Sequence, residues 1–542
     1  MANLDISEIL ISAYVSDILD DEEFLLLYDI NQPSDSDYHL VFGSEDDEDY
    51  IECHPEKDAA PDTSKLDASD LKQEMLCQGG AAHNATKPPR AKVMRMLQKR
   101  QIGDCPSHGF SASDRHGLGA LFLPNRRRIV SRYPSKVFCG TFSKDGSIFL
   151  SAGQDQSIRI YDVKNSRFKK FKEIQAKDVG WSVVDTAFSP DGNYLIYSSW
   201  SDYIHLCNIY GDYETHTALD LQPLAGGHMC AFSIQFSNDN KEILAGANGG
   251  CLYIYDRENN GRTLRVEAHE DDVNAVCFAD SSSQILFSGG DDGMCKVWDR
   301  RMLSETNTAP VGTLAGHMDG ITFIDTKGDG RHLITNSKDQ SIKLWDIRCF
   351  SRNDAIEDGR RVVAQQHWDY RCDRAPKRTK RKKGVKGDTS LMTYRGHGVL
   401  HTLLRCRFSP QFTTGQRYIY AACATGAVVV YDILTGKIVS RLPGHDDCVR
   451  DVSWHPFENK LISSGWDGSQ ILHYYKRPRD LDDDDSSDED YFPESSSEED
   501  DDDQYDDDYL MDVFEFVRST QRRRRSRRIA AQRRLRSAHG CP

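Results

Sequence analysis

Between Lys136 and Lys476 the chain alternates short apolar runs with polar turns, and it does so in a recurring unit. Each unit opens with an apolar run and turns through polar residues. A second apolar stretch follows, ending in small residues, then a turn at Asp or Gly, then alternating positions. In the first copy the closing stretch sets Ile158 and Ile160 against Arg159 and Tyr161, the period of two that predicts a half-buried strand. FCGTFSKDGSIFLSAGQDQSIRIYDV and VNAVCFADSSSQILFSGGDDGMCKVWDR are two of seven copies. They recur about every 42 to 48 residues, apart from one gap about 40 residues longer that reads as an insertion.

One such unit cannot cover both faces of its own sheet. Seven closed into a ring bury every face and leave only short edges. The pattern therefore predicts an all-β fold, a seven-bladed β-propeller over residues 121–477 with a basic insertion at 349–391. The last copy ends near Lys476 without a fourth strand. The stretch Arg126 to Tyr133 (RRRIVSRY) is expected to supply it and close the ring.

The flanks break the period. Residues 1–31 place Ile6, Ile9, Leu10 and Ala13, then Ile18 and Leu19, near helical spacing, which predicts a short acidic amphipathic helical element. It is read either as packing on the propeller or as gripping a partner. Residues 32–120 are rich in Asp, Ser, Pro and Gly and read mostly as disordered linker. Residues 478–542 read as a disordered tail, acidic and then Arg-rich. Residues 480–512 hold about nineteen Asp and Glu, enough to account for the formal charge of −17, so the acidity is assigned to the tails and the folded part is read as near neutral. Ser486, Ser487, Ser495, Ser496 and Ser497 sit among those acids as candidate phosphorylation sites. The basic run Ala375 to Gly387 and the run Arg522 to Arg536 are candidate nuclear signals, consistent with a protein of nucleus and cytoplasm. The second could also hold nucleic acid weakly and salt-dependently.

Fifteen cysteines are scattered, several within strand patterns, and Asp5 and Glu8 stand where a secretory leader would be basic. Free thiols in a reducing compartment are expected. No Cys-x-x-Cys pair suggests zinc, no apolar run is long enough for a membrane span, and no cofactor motif is present.

Gly316-His317, Gly396-His397 and Gly444-His445, with Ala268-His269, open units, and Trp298-Asp299 and Trp345-Asp346 close them. Tyr161-Asp162, Tyr255-Asp256 and Tyr431-Asp432 are weaker versions. This pattern resembles the WD40-repeat family. The resemblance implies structural hydrogen-bonded tetrads of His269, Ser288, Asp292 and Trp298, and of His317, Thr335, Asp339 and Trp345. A His/Asp/Ser set invites a catalytic reading, but the constellation recurs and no nucleophile elbow accompanies it. No catalytic residue is therefore assigned. The second and third units lack the histidine and are expected to rely more on apolar packing.

The fourth and fifth units both end in Trp-Asp-x-Arg, LFSGGDDGMCKVWDRR and LITNSKDQSIKLWDIR. The fold does not need that arginine, since Lys164, Glu258 and Leu434 stand there in other units. The double signature resembles substrate receptors of cullin-4 RING ubiquitin ligases, with one departure, Asn336 at a small-residue position. Segments such as SWSDYIHLCNIYG and VRDVSWHPFE extend that similarity over most of the repeat region. The resemblance implies a non-catalytic receptor subunit. It would dock on the ligase's multi-propeller adaptor, and through it on cullin-4, by Trp298, Asp299, Arg301, Trp345, Asp346 and Arg348. It would present protein substrates for ubiquitination. A third string, Trp368-Asp369-Tyr370-Arg371, lacks the upstream strand and is set aside. Trp200 and Trp466 in turns, with Trp181 and Arg450 at unit starts, suggest a substrate face of interface composition. Core packing between blades is the competing account. The alternative function is a nuclear scaffold in chromatin or RNA processing, using the Arg-rich tail.

Overall fold

The computed structural model describes residues 61–78, 101, 112–119 and 121–476, apart from 165–166, 212–214, 223–228, 367, 374 and 376–384. The predicted helical element at 1–31 and the tail at 478–542 lie outside the described residues. Seven four-stranded antiparallel sheets form the blades of a propeller. The first blade runs through Val137–Phe142, Ile148–Gly153, Ser157–Asp162 and Lys169–Gln175. The fifth is Ile321–Thr326, His332–Ser337, Ser341–Asp346 and Met392–Arg395, its third and fourth strands parted by the insertion. In the seventh, Val449–Trp454, Leu461–Gly465 and Ser469–Tyr474 receive Arg126–Arg132 as outer strand, with Arg126 opposite Tyr474 and Arg132 opposite Ser469. The ring is thus closed by the start of the repeat region pairing with its end.

The alternating pattern becomes burial. Ile158 and Ile160 are fully enclosed, as are Trp298 and Trp345. The turns between second and third strands need a left-handed residue. Gly293, Gly426 and Gly468 supply it, and Gln156 and Gln340 take the same positive φ without being glycine. Gln340 is held there by its side chain, which donates to Lys338 O at 2.7 Å and accepts from the Val399 N–H at 2.6 Å.

Polar side chains on the innermost strands join each blade to the next. Asp185 accepts the Ile234 N–H (2.8 Å) and Ser233 accepts that of Val276 (3.2 Å). Asp325 accepts the Phe408 N–H (2.7 Å) and Asp451 that of Gly140 (3.0 Å). Arg405 crosses the channel, donating to Asp185 (2.6 Å) and Asp451 (2.9 Å). Inner strands have one edge facing the channel, and these contacts satisfy backbone donors that a ladder does not reach.

Strand polarity assigns the two faces of the ring. Innermost strands start, and second-to-third turns lie, on what we term the upper face. Third strands end on the lower face. Arg301 and Arg348 follow third strands and so lie below. Trp181, Trp200, Arg450 and Trp466 lie above.

Part of the stretch expected to be linker is ordered. Helix α1 (Ser64–Asp67) and helix α2 (Asp70–Gln78) bury Leu66, Leu71, Met75 and Leu76 against Leu391, Met392, Tyr394 and Leu434 of blades five and six. The spacing of Leu71, Met75 and Leu76 already carried a helical signal, obscured by the polar residues around it. Helix α3 (Ala112–Gly119) packs on helix α5 (Gln411–Thr414), with the Arg115 guanidinium 4.5 Å from the Phe412 ring. A side chain at Gly119 would collide with the Thr413 carbonyl.

The insertion is ordered over much of its length. Helix α4 (Asn353–Val363) lies along the outer edge of blade four, with Gly359 against Met294 and Val363 against Gly293. Eleven residues of helix span about 16 Å, close to the length of the strands they cross. The segment therefore climbs from the lower face to the upper one. There Trp368 Nε1 donates to Asp319 at 2.9 Å, and Lys338 lies 4.1 Å from the Tyr370 ring.

Candidate functional site

In blade four His269 Nδ1 meets Asp292 at 2.9 Å and its Nε2 meets Ser288 Oγ at 2.7 Å, while the Trp298 indole donates to the same hydroxyl at 2.8 Å. In blade five His317 meets Asp339 (3.0 Å) and Thr335 (2.6 Å), and Trp345 donates to Thr335 at 2.8 Å. Each group is enclosed within one blade. Burial alone would raise the Asp339 carboxyl, but the His317 ring and its hydrogen bond hold it well below the usual carboxylate range.

Two variations were not legible beforehand. In blade seven Ser463 serves both His445 (2.7 Å) and His473 (2.9 Å), so a second histidine replaces the tryptophan. Blade two does not rely on apolar packing alone. His205 meets Asp178 at 3.0 Å, and the Tyr197 hydroxyl meets His216 at 2.5 Å. The Asn336 departure also has a reason, since its amide joins His397 Nε2 (2.9 Å) to Leu404 O (3.0 Å) across the blade boundary.

On the lower face each signature arginine folds back on the aspartate two residues before it. Arg301 Nε and Nη2 reach Asp299 at 2.9 and 2.6 Å, leaving a side chain 68% exposed. Planar pairing of this kind fixes a guanidinium that would otherwise sample many rotamers. Met302, Val311 and Phe350 are exposed nearby; Phe350 lies against Gly312, next to Val311. A groove of about 320 Å³ beside Arg301 is lined by Asp239, Lys241, Glu242, Glu258 and Arg300.

Arg348 makes the same contact with Asp346 (2.8 Å) and a second one, to Asp70 of α2 at 3.1 Å. Arg331 completes the cluster, reaching Asp70 (3.1 Å), Glu74 (3.3 Å) and Asp346 (3.1 Å). The two signature arginines are therefore unlike. Arg301 faces outward, whereas Arg348 is shared with the chain's own helix. The string at Trp368-Asp369-Tyr370-Arg371 lies on the upper face, away from both.

On the upper face the inner strands share a distortion. Pairing slips by one residue between Val137 and Cys139, Ala231 and Ser233, Val273 and Ala275, Ile321 and Phe323, and Val449 and Asp451. A bulge of this kind re-aims the skipped side chain. The skipped residues are Phe138, Phe232, Asn274, Thr322 and Arg450, and the last four line one narrow crevice, too tight to admit a water molecule, with Asp185, Phe323, Leu403 and Arg405. Trp181 and Trp466 both pack on Phe138, with ring centroids 5.1 and 5.7 Å apart. Lys136 lies 4.2 Å from the Trp466 ring. Trp200 is the exposed member, edge-on to Phe232 at 6.2 Å. Trp466 is half-buried despite its turn position, because Phe138 fills the space beneath it. Burial pushes the carboxyls of Asp319 and Asp325 up to about 6.

Among the described residues no group of His, Cys, Asp or Glu is arranged to hold a metal ion, and all twelve cysteines are unpaired. No helix of the described residues is long and apolar enough to cross a membrane.

The WD domain, G-beta repeat model matches residues 126–162, 261–299, 308–346 and 436–469. The chain is 42% identical over 396 residues to the DDB1- and CUL4-associated factor 11 homolog of Caenorhabditis elegans, covering 70% of this chain and 68% of that protein. It is 40% identical over 389 residues to the LEC14B homolog of Prunus armeniaca, covering 70% and 80%. To the LEC14B protein of Lithospermum erythrorhizon it is 41% identical over 396 residues, covering 71% and 82%.

Proposed function

The chain belongs to the WD-repeat family of the DDB1- and CUL4-associated factor 11 homologues, and from that premise we propose that it is the substrate-recognition subunit of a cullin-4 RING ubiquitin ligase. The printed name of the nematode relative ties that protein to DDB1 and CUL4. By this reading the lower rim docks on the adaptor, and cullin-4 is reached through it. The upper face presents protein substrates. The chain supplies no bond-making group. It raises the effective concentration of a substrate lysine near the ubiquitin donor, in both nucleus and cytoplasm.

The observation that supports the docking side is Arg301, pinned by Asp299 yet exposed, beside the exposed apolar residues Met302 and Val311. A fixed arginine next to apolar surface is the composition of an interface hot spot. The test is affinity capture of the adaptor by the full chain and by Arg301→Ala, Arg348→Ala and the double variant. Arg301→Ala is expected to weaken capture about five- to thirty-fold, the range of a single hot-spot arginine. Adaptor missing from wild-type captures defeats the ligase reading. Adaptor retained in full by a folded double variant defeats the role of the arginines.

A further inference from the structure

The strand that closes the ring is strongly basic. Arg126–Arg132 carries four arginines along the free outer edge of blade seven. Blade one abuts it. Val130 and Tyr474 of blade seven pack into the same apolar cluster as Val163 and Phe168, which bracket the turn between the third and fourth strands of blade one. That turn and the start of the strand after it hold Lys164, Arg167 and Lys169. Arg127, Lys164, Arg167 and Lys169 are exposed, and Arg126 is half-buried. Among the described residues, Asp162 is the one carboxylate within ion-pair distance of any of these five, 3.9 Å from the Lys164 ammonium. Asp155 and Glu173 of the same blade are held by Arg159, at 2.7 and 3.2 Å. The outer corner of blades seven and one thus gathers like charges that repel one another.

The chain leaves the propeller at this corner. The Lys476 N–H donates to Asn125 Oδ1 at 2.8 Å, and Asn125 Nδ2 donates to Lys476 O at 2.8 Å, which fixes the last described residue next to Arg126. Of the eleven residues from Asp480 to Asp490, eight are Asp or Glu and none is basic. They lie outside the described residues. At full extension Asp480 reaches about 14 Å from Lys476, and Asp490 about 50 Å.

We propose that the acidic segment Asp480–Asp490 folds back onto the outer corner of blades seven and one, supplies its counter-charge and covers it. Single exposed ion pairs are weak. A tether of a few residues raises the effective concentration into the millimolar range, so several weak pairs acting together hold the segment in place. Charge sign, point of attachment and reach all select the chain's own segment as occupant. The proposal does not rest on the receptor reading.

The experiment treats the full-length chain with a carbodiimide, which joins a carboxylate to a lysine amine when the two are in contact, and maps the products by mass spectrometry. Lys164 and Lys169 are expected to join to residues 480–490, in yields that stay constant over a roughly tenfold range of protein concentration, as a tethered contact requires. The yield should fall roughly fivefold or more in 1 M salt, where the Debye length is about 3 Å. The triple variant Arg126→Gln, Arg127→Gln, Arg167→Gln keeps both lysines as reporters and should lower it roughly threefold or more. A second readout uses a variant with the eight acids replaced by their amides. In it, acetylation of Lys164 and Lys169 by an amine-reactive ester should be roughly threefold faster than in wild type, with exposed Lys241 of blade three unchanged as reference. The proposal is overturned if neither lysine joins to the segment, or if the amide variant leaves acetylation of both unchanged. A yield that rises with protein concentration also overturns it, in favour of a second copy's segment. So does joining to Lys241 as readily as to Lys164, because the segment then has no preferred edge.

Discussion

Replacing Arg405 by methionine puts the channel's central contact to a quantitative test. Its guanidinium is 4% exposed and joins Asp185 of blade two to Asp451 of blade seven, while its own residue enters blade six. Methionine fills similar space but leaves two carboxylates buried together. Removing one partner of a buried ion network costs about 3–5 kcal/mol. The backbone N–H groups of Ile234 and Gly140 still reach the aspartates, so the lower part of that range is expected. For a domain of this size the loss corresponds to roughly 4–7 °C in Tm. The assay is thermal unfolding followed by tryptophan fluorescence at matched scan rates, from pH 5 to 8. In the variant the stranded carboxylates should bind protons more readily folded than unfolded. Their penalty is then smallest below the unfolded carboxyl range and grows as pH rises, so the gap to wild type should narrow toward pH 5. Adding Asp185→Asn and Asp451→Asn should restore most of the loss, because no unpaired charge remains. A shift below about 2 °C, or a gap that widens on acidification, refutes the view that Arg405 holds the ring together.

Thr335→Val keeps the shape but removes the hydroxyl that serves both His317 and Trp345; with two buried polar groups stranded, denaturant titration should show a loss of about 2–6 kcal/mol, and Thr335→Ser well under half of that. Asp325 titrates near 6 because burial raises it, so its favourable contribution is complete below the unfolded pKa and is lost as pH climbs through about 6. Asp325→Asn, which keeps an acceptor for the Phe408 N–H, should therefore flatten the fall in Tm between pH 4 and 7 and be the more stable protein at pH 8.

Blade count, ring closure and the tetrads were legible because their partners sit within one blade. His269 and Asp292 are 23 residues apart and meet through a turn-and-hairpin geometry that every unit repeats. The missed contacts join residues that no local period connects. Asp70 and Arg348 are 278 positions apart, and Arg405 and Asp185 are 220. Trp466 was assigned to a substrate face from its turn position, with packing between blades as the competing account, and the Phe138 bulge of the neighbouring blade lies beneath it. The His-less second blade found other partners in His205 and His216, which carry no repeat signature.

By itself the sequence determined what depends on short-range spacing: period-two strands, left-handed turns, a repeat length that closes at seven, and the paired Trp-Asp-x-Arg endings. Those features follow from steric and hydrogen-bond rules acting over a few tens of residues. The tertiary structure alone decided which arginines are free and which are taken. Arg301 and Arg348 have nearly the same local sequence, but α2 packs under blades five and six and carries Asp70 to the second of them. Charge pairing depends on distance in space, and that distance is set when the last strand of the ring is supplied by the first.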